Sequence, residues 1–343
     1  EDGTFVKQGN TIVFGEHFKL AEDKKATVYG GSTKQTTTTA STVILKSGNF
    51  AAVYGAGTKA QNKAATVSIP ADSTAVVDKL FGAGTGEGTV KGNVTVNVSG
   101  GRINSPVYGG GEGADVTGNT TVTVSGGIDP KSETVKVDKP ATPTSVYGGG
   151  KGATVSGTSS VTVTLPNNNA DENHRVFKMG TISGAGTDNN GELKENSVGA
   201  KKTVVVQMND TTKIAELMLE KLRGFDNLTL GNAGGNDFNK SIFKITQEFD
   251  SKEEVSQPDA NDREDQVTLN ASRLVLDGKY QGHIGNLTTN KISSLSVDKE
   301  DTNQTKPLLV DGKVTAGKDA SGVLEQIRLK TTFDPNEATG KTM

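Results

Sequence analysis

The sequence predicts an all-β protein, folded as a right-handed parallel β-helix with about 26 residues in each coil. Three observations lead to this prediction. The chain contains 43 glycines and is rich in threonine and valine, which favour strands, while glycine favours turns. Only 32% of the residues are hydrophobic and 5% aromatic, which suits a thin core. Two short patterns also alternate along the chain, as they do in repeat proteins.

The first pattern is a Thr/Val strand, and the second is an aliphatic–aromatic corner followed by small residues. The strand pattern occurs as TIVF, TVIL, TVSI, TVNV, TVTV, SVTV and TVVV. The corner pattern occurs as VYGG, VYGAG, LFGAG, VYGGG (twice) and ISGAG. Successive corner aromatics are 25, 27, 27 and 39 residues apart. Insertions at 129–144 and 165–175 lengthen the later intervals, and we expect them to be surface loops.

The strand pattern also predicts which side chains face inward. In TVTV, Val122 and Val124 lie on one face of the strand, and Thr121 and Thr123 lie on the other. We therefore expect valines inside the coils and threonines outside. Because one coil cannot bury its own inner face, the coils must stack. A left-handed hexapeptide helix would need a shorter period than the one observed, and β-sandwich domains would need a much longer one.

Four regions are expected along the chain: an N-terminal cap or first coil at 1–25, regular coils at 26–210, a less regular continuation at 211–333, and a tail at 334–343. The segment TKIAELMLEKLRG is consistent with an amphipathic helix or with a strand pair. Its mixed spacing favours one short helix near 212–222 or an irregular connecting segment.

The recurring glycines raise the question of phosphate binding. The P-loop pattern fails around Lys151, and the dinucleotide pattern fails at Ala114, where a third glycine is needed. A cofactor loop occurs once, whereas these glycines recur in successive repeats. We interpret them as corners, where glycine permits positive φ and the close approach of neighbouring coils.

The corner aromatics are the candidate ligand-binding residues. They should stack in one column at about 4.8 Å per coil. Strict alternation directs the rings outward over a flat glycine floor, where they would form a platform for sugar rings. Alternatively, the strand bends and the rings pack inside or along a seam. The column comprises Tyr29, Tyr54, Phe81, Tyr108 and Tyr147.

Few residues point to catalysis or metal binding. The absence of cysteine excludes disulfides, thiolate metal sites and a cysteine nucleophile. The three histidines, His17, His174 and His283, form no metal-binding pair. In TDNNGEL, Asp188, Asn190 and Glu192 could supply oxygen ligands to calcium, although the EF-hand pattern is missing because glycine comes too early. No catalytic residue and no other cofactor is predicted.

Charge and hydropathy exclude two classes of partner. The net charge is −3 with no Lys/Arg block, which argues against nucleic-acid binding. No apolar run is long enough to span a membrane, so membrane insertion is not expected. We expect a monomer.

Two segments carry a resemblance to a known family. Val107–Gly127 (VYGGGEGADVTGNTTVTVSGG) and Gly224–Leu230 (GFDNLTL) resemble repeats of large bacterial cell-surface adhesin-like proteins of the Gram-positive type. The resemblance covers roughly Ala26–Leu230. Such proteins are similar to the pectate-lyase-like right-handed β-helices.

The resemblance implies an extracellular region at the bacterial surface. It would bind host or microbial glycans or glycoproteins through an exposed sheet face and insertion loops. No LPxTG-type anchor is present, so we expect a fragment that is anchored to the cell wall through regions outside this chain. Two alternatives stay open on the same fold: a polysaccharide lyase or glycoside hydrolase, and a purely structural stalk.

Overall fold

The computed structural model is entirely β apart from one short 3-10 helix, Glu195–Ser197, within the residues that it describes. No helix among them is long and apolar enough to cross a membrane. The described residues are 5–21, 23–61, 63–126, 145–165, 174–208, 214–232, 240–251, 264–276, 281–290, 293–297, 308–310, 313–316 and 327–330.

Strands numbered β1–β29 in chain order form two long sheets, sheet 1 and sheet 2, and one small hairpin. Sheet 1 has 12 strands: β1 Phe5–Gln8, β2 Thr11–Phe14, β4 Ser41–Leu45, β6 Ala65–Ile69, β9 Val94–Val98, β12 Thr120–Val124, β14 Ser159–Leu165, β18 Lys202–Met208, β20 Asn227–Asn232, β22 Gln266–Asn270, β25 Asn286–Asn290 and β28 Val314–Ala316.

Sheet 2 has 15 strands: β3 Ala26–Tyr29, β5 Asn49–Tyr54, β7 Val76–Val77, β8 Leu80–Phe81, β10 Arg102–Ile103, β11 Val107–Tyr108, β13 Val146–Tyr147, β15 His174–Ser183, β19 Ile214–Arg223, β21 Ser241–Asp250, β23 Arg273–Leu276, β24 Gln281–Ile284, β26 Ser293–Val297, β27 Leu308–Val310 and β29 Ile327–Lys330. The hairpin pairs β16 Gly186–Thr187 with β17 Leu193–Lys194.

The chain alternates between the two sheets, and each passage adds a strand beside the one before it. Pairing within both sheets is parallel, except that β1 runs antiparallel to β2. Val53 pairs with Leu80, and Leu80 pairs with Val107, so residues 27 positions apart are neighbours. This confirms the predicted all-β class and repeat, and the arrangement is compatible with a β-solenoid.

The core is as thin as the composition predicts. The main hydrophobic cluster lies between the sheets and contains the inward valines, including Val122 and Val124, which are fully buried. Thr121 and Thr123 on the same strand face outward, as predicted. A second cluster of alanines and valines follows a ladder of parallel bridges through Gln61, Val90, Val116, Val155 and Val198.

The first glycine of each corner is required by close approach between coils. A Cβ on Gly55 would lie 2.0 Å from the carbonyl oxygen of Gly82, and one on Gly82 would lie 2.4 Å from that of Gly109. Positive φ occurs one turn later, at Gly86 (61°) and Gly113 (69°), where a Cβ would meet open space. The two predicted roles of glycine therefore belong to different positions.

The helix predicted near 212–222 is wrong, because this segment is strand β19, Ile214–Arg223. Ala215, Leu217 and Leu219 face the core in alternation and are buried. The pairing of β19 with β21 shifts register between Leu219 and Lys221, and the next core residue is Leu222. The tail at 334–343 and most of the two predicted insertions lie outside the described residues.

Candidate binding face

The outer face of sheet 1 carries two continuous ladders of side chains across nine strands, β4 to β25. Their residues are matched by strand register, so each side chain lies beside its counterpart in the next strand. Ladder 1 is Thr42, Thr66, Thr95, Thr121, Ser160, Thr203, Asn227, Gln266 and Asn286. Ladder 2 is Ile44, Ser68, Asn97, Thr123, Thr162, Val205, Thr229, Thr268 and Thr288.

The local sequence explains why this face is mostly polar. Each strand alternates a buried aliphatic residue with an outward one, as in β14, whose burial alternates along its full length. Threonine suits the outward positions because its branched Cβ fits the extended backbone while its hydroxyl remains in water.

The ladders contain no charged residue, although 22% of the chain is charged. Sheet 2 differs, because its outward positions carry acidic and basic side chains such as Glu216, Lys244 and Arg273. Ion pairs form there, including Arg223 Nη1 with Glu248 Oε1 at 2.9 Å. The lack of charge is therefore a property of the ladder positions, and charged side chains lie at their margin, where Lys201 Nζ is 2.9 Å from the side-chain amide of Asn227.

The central ladder residues have free hydrogen-bonding capacity. Among the described residues, the side chains of Thr95, Asn97, Thr121 and Thr123 make no hydrogen bond to protein. A hydroxyl offers one donor and two lone pairs, and an amide offers both donors and acceptors. This face can therefore exchange water for the hydroxyl groups of a ligand.

The aromatic column stacks as predicted but takes the second of the two arrangements, along a buried seam. Adjacent ring centroids are 5.0–5.3 Å apart with interplanar angles of 6–14°. Tyr54, Phe81, Tyr108 and Tyr147 are at most 7% exposed, and Tyr29 is half-buried. The outward platform is wrong for the four buried rings, since each face is covered by a neighbouring ring or by surrounding atoms.

Each ring points away from the main core, as alternation predicts, yet the rings from Tyr54 to Tyr147 are buried. Strand β11 consists of Val107 and Tyr108 alone, and both are buried on opposite sides of the wall. Val107 joins the main core, whereas Tyr108 joins a separate cluster with its stacked neighbours. Residues that follow later corners contact the rings on this second side, as Glu112 contacts Tyr54 and Thr187 contacts Tyr108.

The buried phenols have polar partners. Tyr54 donates a hydrogen bond to Glu112, and the hydroxyl of Tyr108 lies 3.3 Å from Thr187 Oγ1. Burial raises the pKa of Tyr108 to about 12, and it raises the pKa values of Tyr54 and Tyr147 as well. These hydroxyls complete the seam and are not presented to a ligand.

The calcium candidates share one turn, but their groups serve the turn itself. The Asp188 carboxylate accepts hydrogen bonds from the backbone N–H groups of Asn190 and Glu192, at 2.8 and 2.9 Å. The Glu192 N–H contributes most to holding the pKa of Asp188 below its usual value. In the described part of the chain, no three His, Cys, Asp or Glu side chains form a group that could hold a metal. The calcium site thus receives no support here.

The histidines and Asp265 are the remaining candidate groups for chemistry. His17 is exposed, while the side chains of His174 and His283 lie outside the described residues. Asp265 is 3% exposed and accepts hydrogen bonds from Ser251 Oγ at 2.8 Å and Gly285 N at 2.9 Å. Its carboxylate therefore joins neighbouring segments and does not face a substrate groove.

Comparisons of the chain with protein-family models, curated proteins and solved structures found no match. The function must therefore be argued from the residues of this chain. The sequence already places threonine on the outside, but the ladder residues were not predicted as a site. In the sequence, the site is indicated by the uncharged residues at the outward positions of each Thr/Val strand. These residues form a continuous surface only once the strands are aligned in register.

Proposed function

We propose that this chain is the binding region of a bacterial cell-surface adhesin, folded as a right-handed parallel β-helix with coils of about 26 residues. It attaches to host or microbial glycans or glycoproteins through an exposed sheet face, with loops between the strands contributing. The observation that supports this proposal is the pair of uncharged ladders on sheet 1, which are polar at every position except Ile44 and Val205.

A sugar-rich ligand suits this surface chemically. Sugars present many hydroxyl groups, and threonine, serine, asparagine and glutamine side chains can both donate to and accept from them. Each contact on a solvent-exposed face is weak, but repeated contacts gain strength through multivalency. An extracellular location, with the cell-wall anchor outside this chain, belongs to the same proposal and agrees with the absence of cysteine.

The test is binding of the folded, labelled protein to an array of host and microbial glycans and glycoproteins. Binding of a defined set of glycans, lost when the protein is unfolded, is expected. A folded protein that binds none of them would overturn the proposal.

A purely structural stalk is the second candidate, and the buried seam favours it. Three columns of buried residues run along the stack of strands, and the stacked rings stiffen one corner. A stalk would be stable and would bind no glycan. The polysaccharide-cleaving alternative needs carboxylates that converge in an open groove.

A further inference from the structure

We infer that the ligand of the sheet 1 face is an uncharged, extended polysaccharide whose chain runs across the strands, parallel to the two ladders. This inference rests on the proposed function and specifies the class of glycan and its direction. The charge, repeat and chemistry of the ladder residues support it.

Charge selects the class of polysaccharide. Sulfated and uronic-acid glycans need cationic partners, which recognise carboxylate and phosphate-like groups through charge-assisted hydrogen bonds. None of the eighteen ladder positions holds lysine or arginine. The Lys201 ammonium contacts ladder 1 at the side-chain amide of Asn227, at 2.9 Å, just before strand β18. A neutral glycan loses little when its hydroxyl groups exchange water for threonine and asparagine, whereas an anionic one would lose hydration without compensation.

The regular spacing of the ladder residues favours an extended polymer and indicates the direction in which it lies. Neighbouring strands lie about 4.8 Å apart, so ladder 1 offers a similar polar group at that interval over nine strands. Along a single strand only two ladder positions are available, about 6.7 Å apart. A chain laid along the ladders meets many equivalent groups, while a chain laid along one strand meets two.

The chemistry along ladder 1 is graded, which agrees with a ligand that spans many strands. From Thr42 to Thr203 the groups are hydroxyls, and from Asn227 to Asn286 they are amides. Both kinds donate and accept, so a hydroxyl-rich polymer finds partners along the whole ladder. A short oligosaccharide would occupy only a part of it.

The experiment compares the binding of soluble neutral β-glucan, polygalacturonate and heparin to the whole chain, together with a length series of neutral oligosaccharides. Three proteins are used: wild type, the ladder variant Thr121→Lys/Thr229→Lys, and the control variant Thr117→Lys/Thr154→Lys. The control places the same two charges at exposed positions outside both sheets. Circular dichroism and the urea midpoint verify that all three are folded.

Neutral glucan should bind wild type with an affinity that rises with chain length and changes little with salt. The ladder variant should bind on the order of tenfold more weakly, which corresponds to about 1.4 kcal/mol, and the control should match wild type. Preference for polygalacturonate or heparin, or equal binding by the ladder variant, would overturn this inference while leaving glycan binding intact. Failure to bind every glycan would overturn the proposed function as well.

Discussion

The hydroxyl of Tyr54 donates a hydrogen bond to the carboxylate of Glu112, which lies 58 residues further along the chain. Strand register explains how residues so far apart in sequence can meet. Tyr108 is two rings beyond Tyr54 in the stack, and Glu112 follows Tyr108. The Tyr108 hydroxyl reaches Thr187 in the same way, 79 residues on. Each of these phenols thus connects its own coil with the second coil beyond it.

Removal of the Tyr54 hydroxyl should destabilise the protein. Tyr54→Phe leaves Glu112 partly buried, with Lys79 Nζ at 3.8 Å as its remaining cationic partner. We expect a loss of about 1–3 kcal/mol in the free energy of unfolding, the usual cost of an unsatisfied buried group. Urea denaturation measures it. Tyr29→Phe is the control, because the Tyr29 hydroxyl makes no hydrogen bond among the described residues. Equal losses in both variants would contradict the assignment.

The same register makes a prediction for Phe81, the one ring without a hydroxyl. In the corner ladder Thr85, Glu112, Lys151 and Thr187, the position two coils beyond Phe81 is Lys151. Phe81→Tyr should direct its new hydroxyl toward the Lys151 ammonium, which stabilises the phenolate. We expect this new phenol to titrate below Tyr108, whose pKa is about 12.

Phenolate absorbance during alkaline titration, as a difference between variant and wild type, measures this pKa. Adding Lys151→Gln to Phe81→Tyr should raise it again. A new phenol that titrates together with or above Tyr108, and does not respond to Lys151→Gln, would show that the two groups do not meet.

Alkaline pH should weaken the fold through the buried phenols. Burial favours the neutral form, so the pKa of Tyr108 is raised to about 12 in the folded state, whereas an unfolded tyrosine titrates near 10. The stability that the protein gains from keeping the Tyr108 phenol neutral is therefore fully present below pH ~10, and it is lost as pH rises from there to about 12. Urea midpoints across this range should fall for wild type and fall less for Tyr108→Phe. A midpoint that stays constant above pH ~10 would contradict the burial of these rings.

The repeat and the inward valines could be predicted from sequence because both are local patterns. Val122 and Val124 alternate with Thr121 and Thr123 within one strand, and the strand spacing fixes the period. The burial of the Tyr108 ring could not be predicted, because the side of β11 on which it lies is covered by residues distant in sequence, such as Thr187.

The incorrect helix has an equally specific cause. Leu219 and Leu222 are three positions apart, which imitates the spacing of a helix face. In the structure a register shift next to Leu219 returns Leu222 to the core of a strand. The uncharged binding face could be anticipated only in part, since its continuity depends on how nine separate strands align.

The first glycine of each corner should tolerate no side chain, because the backbone of the next coil is too close, whereas the later turn requires glycine for its positive φ. A Cβ on Gly82 would lie 2.4 Å from the Gly109 carbonyl oxygen and 2.6 Å from Val94 Cγ1. Gly82→Ala should therefore cost about 1–3 kcal/mol as overpacking, and Gly82→Asn should cost more. Gly86 has open space but a φ of 61°, so Gly86→Ala should cost about 1–2 kcal/mol through backbone strain alone.

Asparagine separates the two causes, because it adopts the left-handed region more readily than alanine. Gly86→Asn should recover most of the stability that Gly86→Ala loses, while Gly82→Asn should be the least stable of the four variants. Urea midpoints measured under one condition rank them. If asparagine restored stability at Gly82, the close contact between coils at this corner would be refuted, because a larger side chain cannot relieve a clash with the backbone of the next coil.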